Sequence, residues 1–157
     1  MSNGTRGRLL VGAQLLLIAL IAFAPGWRLW SSSPWLIVLE LGLIFPGVGI
    51  LVPAFFHLGS ALTANPVPKT DAPLQTNGIY AYIRHPIYTG VLLAGLGIAM
   101  CRASVISLLA FIALVLLLNF KARWEEDLLK MKHAEYLSYM EQVPRFLPRK
   151  KRDKHGS

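Results

Sequence analysis

Residues 82–90 read YIRHPIYTG, and residues 124–127 read WEED. The first stretch sets a guanidinium, Arg84, beside an imidazole, His85, and Pro86 restricts the backbone at its own position and at the residue before it. The second sets two carboxylates, Glu125 and Glu126, next to each other. Brought together, these groups would set the cationic Arg84 and His85 against carboxylates across a cytoplasmic pocket. Charge-assisted hydrogen bonds of this kind are stronger than neutral ones. Adjacent residues on a helix of 3.6 residues per turn differ by about 100°, so Glu125 and Glu126 cannot face one point. One is expected to meet a ligand while the other supports it or meets solvent. A plainer reading also fits the pattern. Arg84 and His85 would then anchor a membrane interface, with Pro86 opening a helix where its missing N–H costs nothing. The glutamates would belong to the solvated face of an amphipathic helix, whose apolar face carries Leu128, Leu129, Tyr136 and Met140.

Only a membrane protein accounts for the elements that must position these residues. The chain has 157 residues, of which 54% are hydrophobic and 15% charged, and its mean hydropathy is positive, too apolar for a soluble domain of this size. Crossing about 30 Å of hydrocarbon takes about 20 helical residues, fewer where flanking side chains reach the interface. Four runs qualify, at about 9–30, 35–57, 87–101 and 103–120. The fold expected is all-α: a polytopic integral membrane protein with about four transmembrane helices and a C-terminal cytosolic helix, forming one domain over residues 1–157. Arg6, Arg8 and Ala22-Phe23-Ala24 imitate a secretory signal, but Pro25 argues against cleavage. The apolar character resumes through Trp27, Leu29 and Trp30, which suggests a retained helix with an aromatic interfacial end. The third run is only 15 residues long, short enough to be re-entrant. Its Gly90, Ala94 and Gly97 recur at helical spacing and would admit a close neighbour. A tight hairpin with the fourth run, turning near Arg102, is expected.

Charge sets the orientation. Of sixteen Lys and Arg residues, Arg6, Arg8, Lys69, Arg84 and ten from Lys121 onward fall on one side of this arrangement; Arg28 and Arg102 fall on the other. By the positive-inside rule both termini and the connection at 58–86 are cytoplasmic. The tail RKKRDK at 149–154 then meets an anionic leaflet, each basic residue contributing about 1 kcal/mol of attraction. It reads as a topology determinant, with no nucleic-acid role. The stretch NPVPKTDAPLQTNG at 65–78 excludes a regular element, and a connection of that length is uncommon unless it has a task. The hairpin returns it to the membrane face of Glu125, about one helical turn from the depth of His85. Glu40 is an ionisable group at membrane depth, placed near the far face where Arg28 is a candidate partner. The single cysteine, Cys101, excludes an intramolecular disulfide and a cysteine metal cluster and reads as a packing residue. No metal site is expected.

Four ordered blocks carry a family resemblance: LGSALTANPVP at 58–68, TNGIYAYIRHPIYTGVLLAGLG at 76–97, ARWEEDLL at 122–129 and YLSYMEQVPRFLP at 136–148. Together they resemble the integral membrane methyltransferases, namely the isoprenylcysteine carboxyl methyltransferases and the phospholipid amine methyltransferases, over about the last 100 residues of the sequence. The resemblance implies S-adenosyl-L-methionine as cofactor, bound on the cytosolic side. Carried over by residue, it points to Arg84, His85, Tyr88, Glu125 and Glu126 as cofactor-binding; Tyr80 and Gly90 beside them complete the expected cofactor-binding set, and His85 and Arg145 are the expected catalytic residues. Arg145 matches an arginine near the family's C-terminal end that is linked to activity. Ile79 stands where the family often has proline, and Asn65 is also unusual; neither removes a charged or aromatic candidate.

The residues suit that cofactor. A glutamate suits its ammonium, Arg84 or His85 its carboxylate, and Tyr80, Tyr82, Tyr88 or Trp124 can offer a π face to the sulfonium, an interaction of about 0.5–2 kcal/mol. The reaction needs alignment and exclusion of water and no covalent nucleophile. The acceptor expected is a lipophilic small molecule drawn from the bilayer, either a prenylcysteine-like carboxylate or a lipid amine; Arg145 would orient the former, and the latter needs a base such as His85 or a glutamate. Two other classes compete. Membrane sterol reductases share the glycine-tyrosine and arginine-histidine-proline region, but two glutamates would repel the phosphates of NADPH. A non-catalytic membrane scaffold would keep the same architecture. The compact chain, without a eukaryotic retention signal, points to a bacterial plasma membrane.

Overall fold

The computed structural model describes residues 2–58 and 73–148. Most of the long connection, including Lys69 and most of the 58–68 block, and the basic tail at 149–154 lie outside the described residues. Within them the structure is helical throughout: α1 (Asn3–Phe23), α2 (Pro34–Leu58), a 3₁₀ turn (Gly78–Ala81), α3 (Pro86–Arg102), α4 (Val105–Lys132) and α5 (Tyr136–Gln142).

The expected span at 9–30 needs correction. α1 starts earlier, where the Ser2 hydroxyl accepts from the Thr5 N–H at 3.3 Å, a side-chain cap for one of the orphan donors of the first turn. It ends at Phe23, because the ring of Pro25 forces Ala24 out of helical geometry (ψ 134°). Trp27 to Trp30 are therefore not helical, and Trp27 is 95% exposed. This segment is tied back by the Leu29 N–H, which donates to the Ala103 carbonyl at 2.7 Å.

α2 opens on Pro34 and carries Pro46 and Pro53 within it. α1, α2 and α4 are long and apolar enough to cross a membrane, and α3, with 17 residues, is shorter. At 1.5 Å per residue α3 reaches roughly 25 Å, somewhat less than the hydrocarbon core. The expected hairpin forms: Ala103 takes the left-handed conformation (φ 50°) and returns its N–H to the Ala99 and Met100 carbonyls, ending α3 shortly before α4 begins.

The small-residue face of α3 serves α2 more than the hairpin partner. A Cβ on Gly90 would come within 2.7 Å of the Gly47 carbonyl oxygen, and one on Gly47 within 2.6 Å of the Ala94 nitrogen. The two backbones are in direct contact at this crossing, which only glycine permits. On the other side, Ile21 of α1, Ala99 of α3 and Ala110, Leu114 and Leu118 of α4 form the buried core. Large apolar side chains on the outer faces, such as Leu16, Phe45, Phe56 and Leu116, are exposed, as a lipid-facing surface requires.

Two smaller expectations are also corrected. Glu40 is buried but does not pair with Arg28. The Arg28 guanidinium instead donates to the Ser32 hydroxyl at 2.6 Å and the Cys101 carbonyl at 3.4 Å, because its connection, freed from helix by Pro25, lies over the α3–α4 turn. Cys101 is exposed rather than packed, since the last turn of α3 projects beyond the core.

Candidate functional site

α4 continues without interruption past its apolar stretch to Lys132, carrying Glu125 and Glu126 to the end of the bundle where α2 stops and α3 starts. There the segment 82–85 runs into α3, with His85 at the N-cap and Pro86 in the first turn. A third strand of chain, following α5, lies beside it. The Arg84 N–H donates to the Pro144 carbonyl at 2.9 Å and the His85 N–H to the Arg145 carbonyl at 3.1 Å. The Thr89 hydroxyl donates to the Phe146 carbonyl at 2.8 Å. These bonds hold the backbone under Arg84 and His85 in one conformation.

Glu126 is the hub. Its side chain is 2% exposed and receives the Arg84 guanidinium at 3.1 Å, the His85 Nε2 at 3.2 Å, and the Arg145 guanidinium through Nε at 2.9 Å and through a second nitrogen. A buried carboxylate is stable only when so compensated. Arg84 also donates to the Met140 carbonyl at 2.9 Å, and its Nε is buried without a partner among the described residues.

Glu125 diverges from its neighbour, as the 100° step demands. Its side chain is 28% exposed, with the His85 Nδ1 3.7 Å away, and it accepts from the Tyr88 hydroxyl at 3.0 Å. The imidazole thus lies between the two carboxylates and stacks on the Tyr88 ring at 5.3 Å with an interplanar angle of 3°.

These groups border a cavity of about 500 Å³, inside the range of roughly 300–1,000 Å³ typical of small-molecule sites. Tyr80, Arg84, His85, Tyr88 and Glu125 line its polar side, and Val11, Leu15 and Phe55 of α1 and α2 line the other. Of the residues singled out from sequence, these five polar groups converge on the cavity. Glu126 and Arg145 stand behind its wall, and Gly90 faces α2 at the helix crossing.

Two polar cavity residues escaped the sequence reading. Lys121 is 2% exposed, lines the cavity, lies 5.3 Å from the Tyr88 ring centroid and donates to the Gln14 side-chain carbonyl of α1. The usable signal was its position four residues before Glu125, which places both on one face of α4. Gln14, a lone amide within an apolar helix, was the other.

The surrounding tyrosines are neutral by construction. Burial, with a contribution from Glu125, pushes the Tyr80 hydroxyl far above its usual range, and burial also raises Tyr136. Burial pushes Tyr139 up to about 12 against an opposing effect of Arg84; its hydroxyl donates to the Tyr80 carbonyl at 2.6 Å. The hydrogen bond to Glu126 holds the Arg145 guanidinium more firmly protonated.

Residues 35–135 match the phospholipid methyltransferase family. The chain is 32% identical over 142 residues to the nickel-cobalt-cadmium resistance protein NccN of Alcaligenes xylosoxydans xylosoxydans, covering 88% of this chain and 62% of the relative. It is 32% identical over 138 residues to protein-S-isoprenylcysteine O-methyltransferase B of Arabidopsis thaliana, covering 83% and 67%. To the protein-S-isoprenylcysteine O-methyltransferase of Homo sapiens it is 30% identical over 128 residues, covering 78% and 44%. The chain thus spans less than two thirds of the length of NccN and of the human relative. The matched region runs from the first turn of α2 to beyond the end of α4, and so contains every cavity wall except that of α1. By these matches the chain belongs to the phospholipid methyltransferase family.

Proposed function

We propose that this protein is a membrane-embedded S-adenosyl-L-methionine-dependent methyltransferase acting on a lipophilic acceptor, a prenylcysteine-like carboxylate or a lipid amine. The observation that carries the reading is the division of labour between the two glutamates: Glu126 compensates the basic side chains, which leaves Glu125 as the carboxylate facing a cavity. The donor set fits the proposed cofactor. Glu125 can receive its ammonium, the unpartnered Nε of Arg84 supports an anionic contact, and the Tyr88 ring offers a π face to a cation. A triphosphate-like or pyrophosphate ligand would meet Glu125 as a repulsive neighbour.

The bound cofactor supplies an electrophilic methyl group whose transfer abolishes the sulfonium charge. The protein's residues bind and align. Tyr88 fixes the Glu125 carboxylate by its hydrogen bond, while Arg145 and Glu126 act as positioning residues that lock Arg84 and His85. The apolar walls from α1 and α2 exclude water and admit an alkyl chain, which favours reaction at near-attack distance.

In this reading residues 1–157 form one methyltransferase domain with its cavity and both termini on the cytoplasmic side, in a bacterial plasma membrane. The excess of basic residues near the cavity end supports that orientation. The test is binding of S-adenosylhomocysteine to the purified protein in nanodiscs, then transfer of radiolabelled methyl into a lipid extract of the host. Saturable binding and a labelled lipophilic product are expected. An absence of saturable binding by a folded preparation would refute the assignment.

A further inference from the structure

The basic groups around the site divide into two sets. Arg84 and His85 are each within ion-pairing distance of a glutamate, and Arg145 is paired with Glu126. Lys121 is different. It is 2% exposed, it lines the cavity, and its ammonium donates to a neutral amide, Gln14, with no carboxylate within ion-pairing distance among the described residues. A buried ammonium without a counter-ion is unfavourable unless a ligand supplies one.

Its place in the cavity indicates which ligand. Lys121 lies one turn nearer the middle of α4 than Glu125, about 6 Å deeper along the axis. It sits beside the apolar walls formed by Val11, Leu15 and Phe55. Glu125, at the outer end, is the group suited to the donor's ammonium. From this arrangement, and resting on the methyltransferase reading above, we infer that Lys121, steadied by Gln14, selects an acceptor that is an apolar-tailed anion, a carboxylate, and disfavours an amine.

The chemistry is consistent. A carboxylate oxygen forms the new O–CH₃ bond with its own lone pair as the S–CH₃ bond breaks, its electrons passing to sulfur. The negative and positive charges cancel, the products are a methyl ester and a thioether, and no proton moves. An ammonium acceptor would first have to lose a proton to a base. The one imidazole at the site has both ring nitrogens turned to carboxylates, Nε2 to Glu126 and Nδ1 to Glu125.

The test uses the intact protein in zwitterionic nanodiscs, with two probes that share a tail and differ in head: hexadecanoate and hexadecylamine. Binding of each, and of S-adenosylhomocysteine, is measured for the parent, Lys121→Gln and Lys121→Arg. The parent should hold the acid roughly tenfold or more tighter than the amine, as one desolvated charge-assisted hydrogen bond allows. Lys121→Gln should erase that preference and Lys121→Arg should keep it, both with little change in S-adenosylhomocysteine affinity. A parent that binds both probes equally, or prefers the amine, overturns the inference without any variant having to fold. So does a Lys121→Gln protein whose S-adenosylhomocysteine affinity falls as far as its affinity for the acid, since Lys121 would then hold the donor's carboxylate. A parent that shows the acid preference but no S-adenosylhomocysteine binding would sink the methyltransferase reading and leave the anion site standing.

Discussion

Where α1 stops and α3 turns into α4, Arg28 donates to Ser32 and to the Cys101 carbonyl, and Arg102 donates to the Ala24 carbonyl at 3.0 Å. At the opposite end of the bundle Arg84, His85 and Arg145 converge on Glu126. Arginines at the first end each satisfy a backbone oxygen left over at a helix terminus, Arg28 adding the Ser32 hydroxyl, and both are exposed, their charge free to meet water. Those at the second end are coupled to one another through a shared buried carboxylate, so that moving one moves the set. The contrast separates charges that fasten a turn from charges that shape a cavity.

The strongest way to break this contrast is Glu126→Ala. It strands the buried Arg84 guanidinium and unpairs the half-buried Arg145, and breaking a buried pair costs about 3–5 kcal/mol. The unfolding midpoint in detergent should drop markedly and S-adenosylhomocysteine binding should vanish. If the drop were no larger than for Arg102→Ala, the coupled cluster would be an ordinary surface. Next in size, Glu125→Gln should weaken S-adenosylhomocysteine by about tenfold or more while leaving the unfolding midpoint close to the parent's, since the group loses charge without vacating its place. Equal and mild effects of the two glutamates would favour a solvated charged face instead.

A smaller effect concerns Tyr139. Its hydroxyl must stay protonated to donate to the Tyr80 carbonyl, and burial pushes it up from 10 to about 12. In the unfolded chain it ionises near 10, so its contribution to stability is fully present below that pH and is lost as pH rises toward 12. Thermal melts across this interval should show a decline that is shallower in Tyr139→Phe. Smallest of all, Arg102→Ala removes one exposed donor from a carbonyl, and its cost should stay within about 0.5–1.5 kcal/mol, with S-adenosylhomocysteine affinity unchanged.

Hydropathy and local grammar carry much of the fold. The apolar runs, the turn near Arg102 and the return of residues 84–85 to the level of residues 125–126 all come from helix rise and span length. The divergence of Glu125 from Glu126 comes from helical angle alone. Local rules misled at Trp27–Trp30, where apolar character suggested helix but Pro25 ended it, and at Glu40, whose supposed partner Arg28 found a hydroxyl and a carbonyl instead. What periodicity could not reveal was tertiary. The segment at 144–145 carries no strand signal, yet it pairs by backbone with 84–85. Lys121 looks like the first polar residue after a span, and only the position of α1 shows that it is buried against Gln14.

The pairing of residues 144–145 with 84–85 has a bearing on biogenesis. Once the four apolar helices have settled among lipids, Arg84 and His85 can already meet Glu126 on α4, but the carbonyls that hold their backbone and the guanidinium that shares Glu126 belong to Pro144 and Arg145, just after α5. Insertion and the final setting of the site are thus separate events, and the second waits for the segment after α5 to lie against residues 84–85.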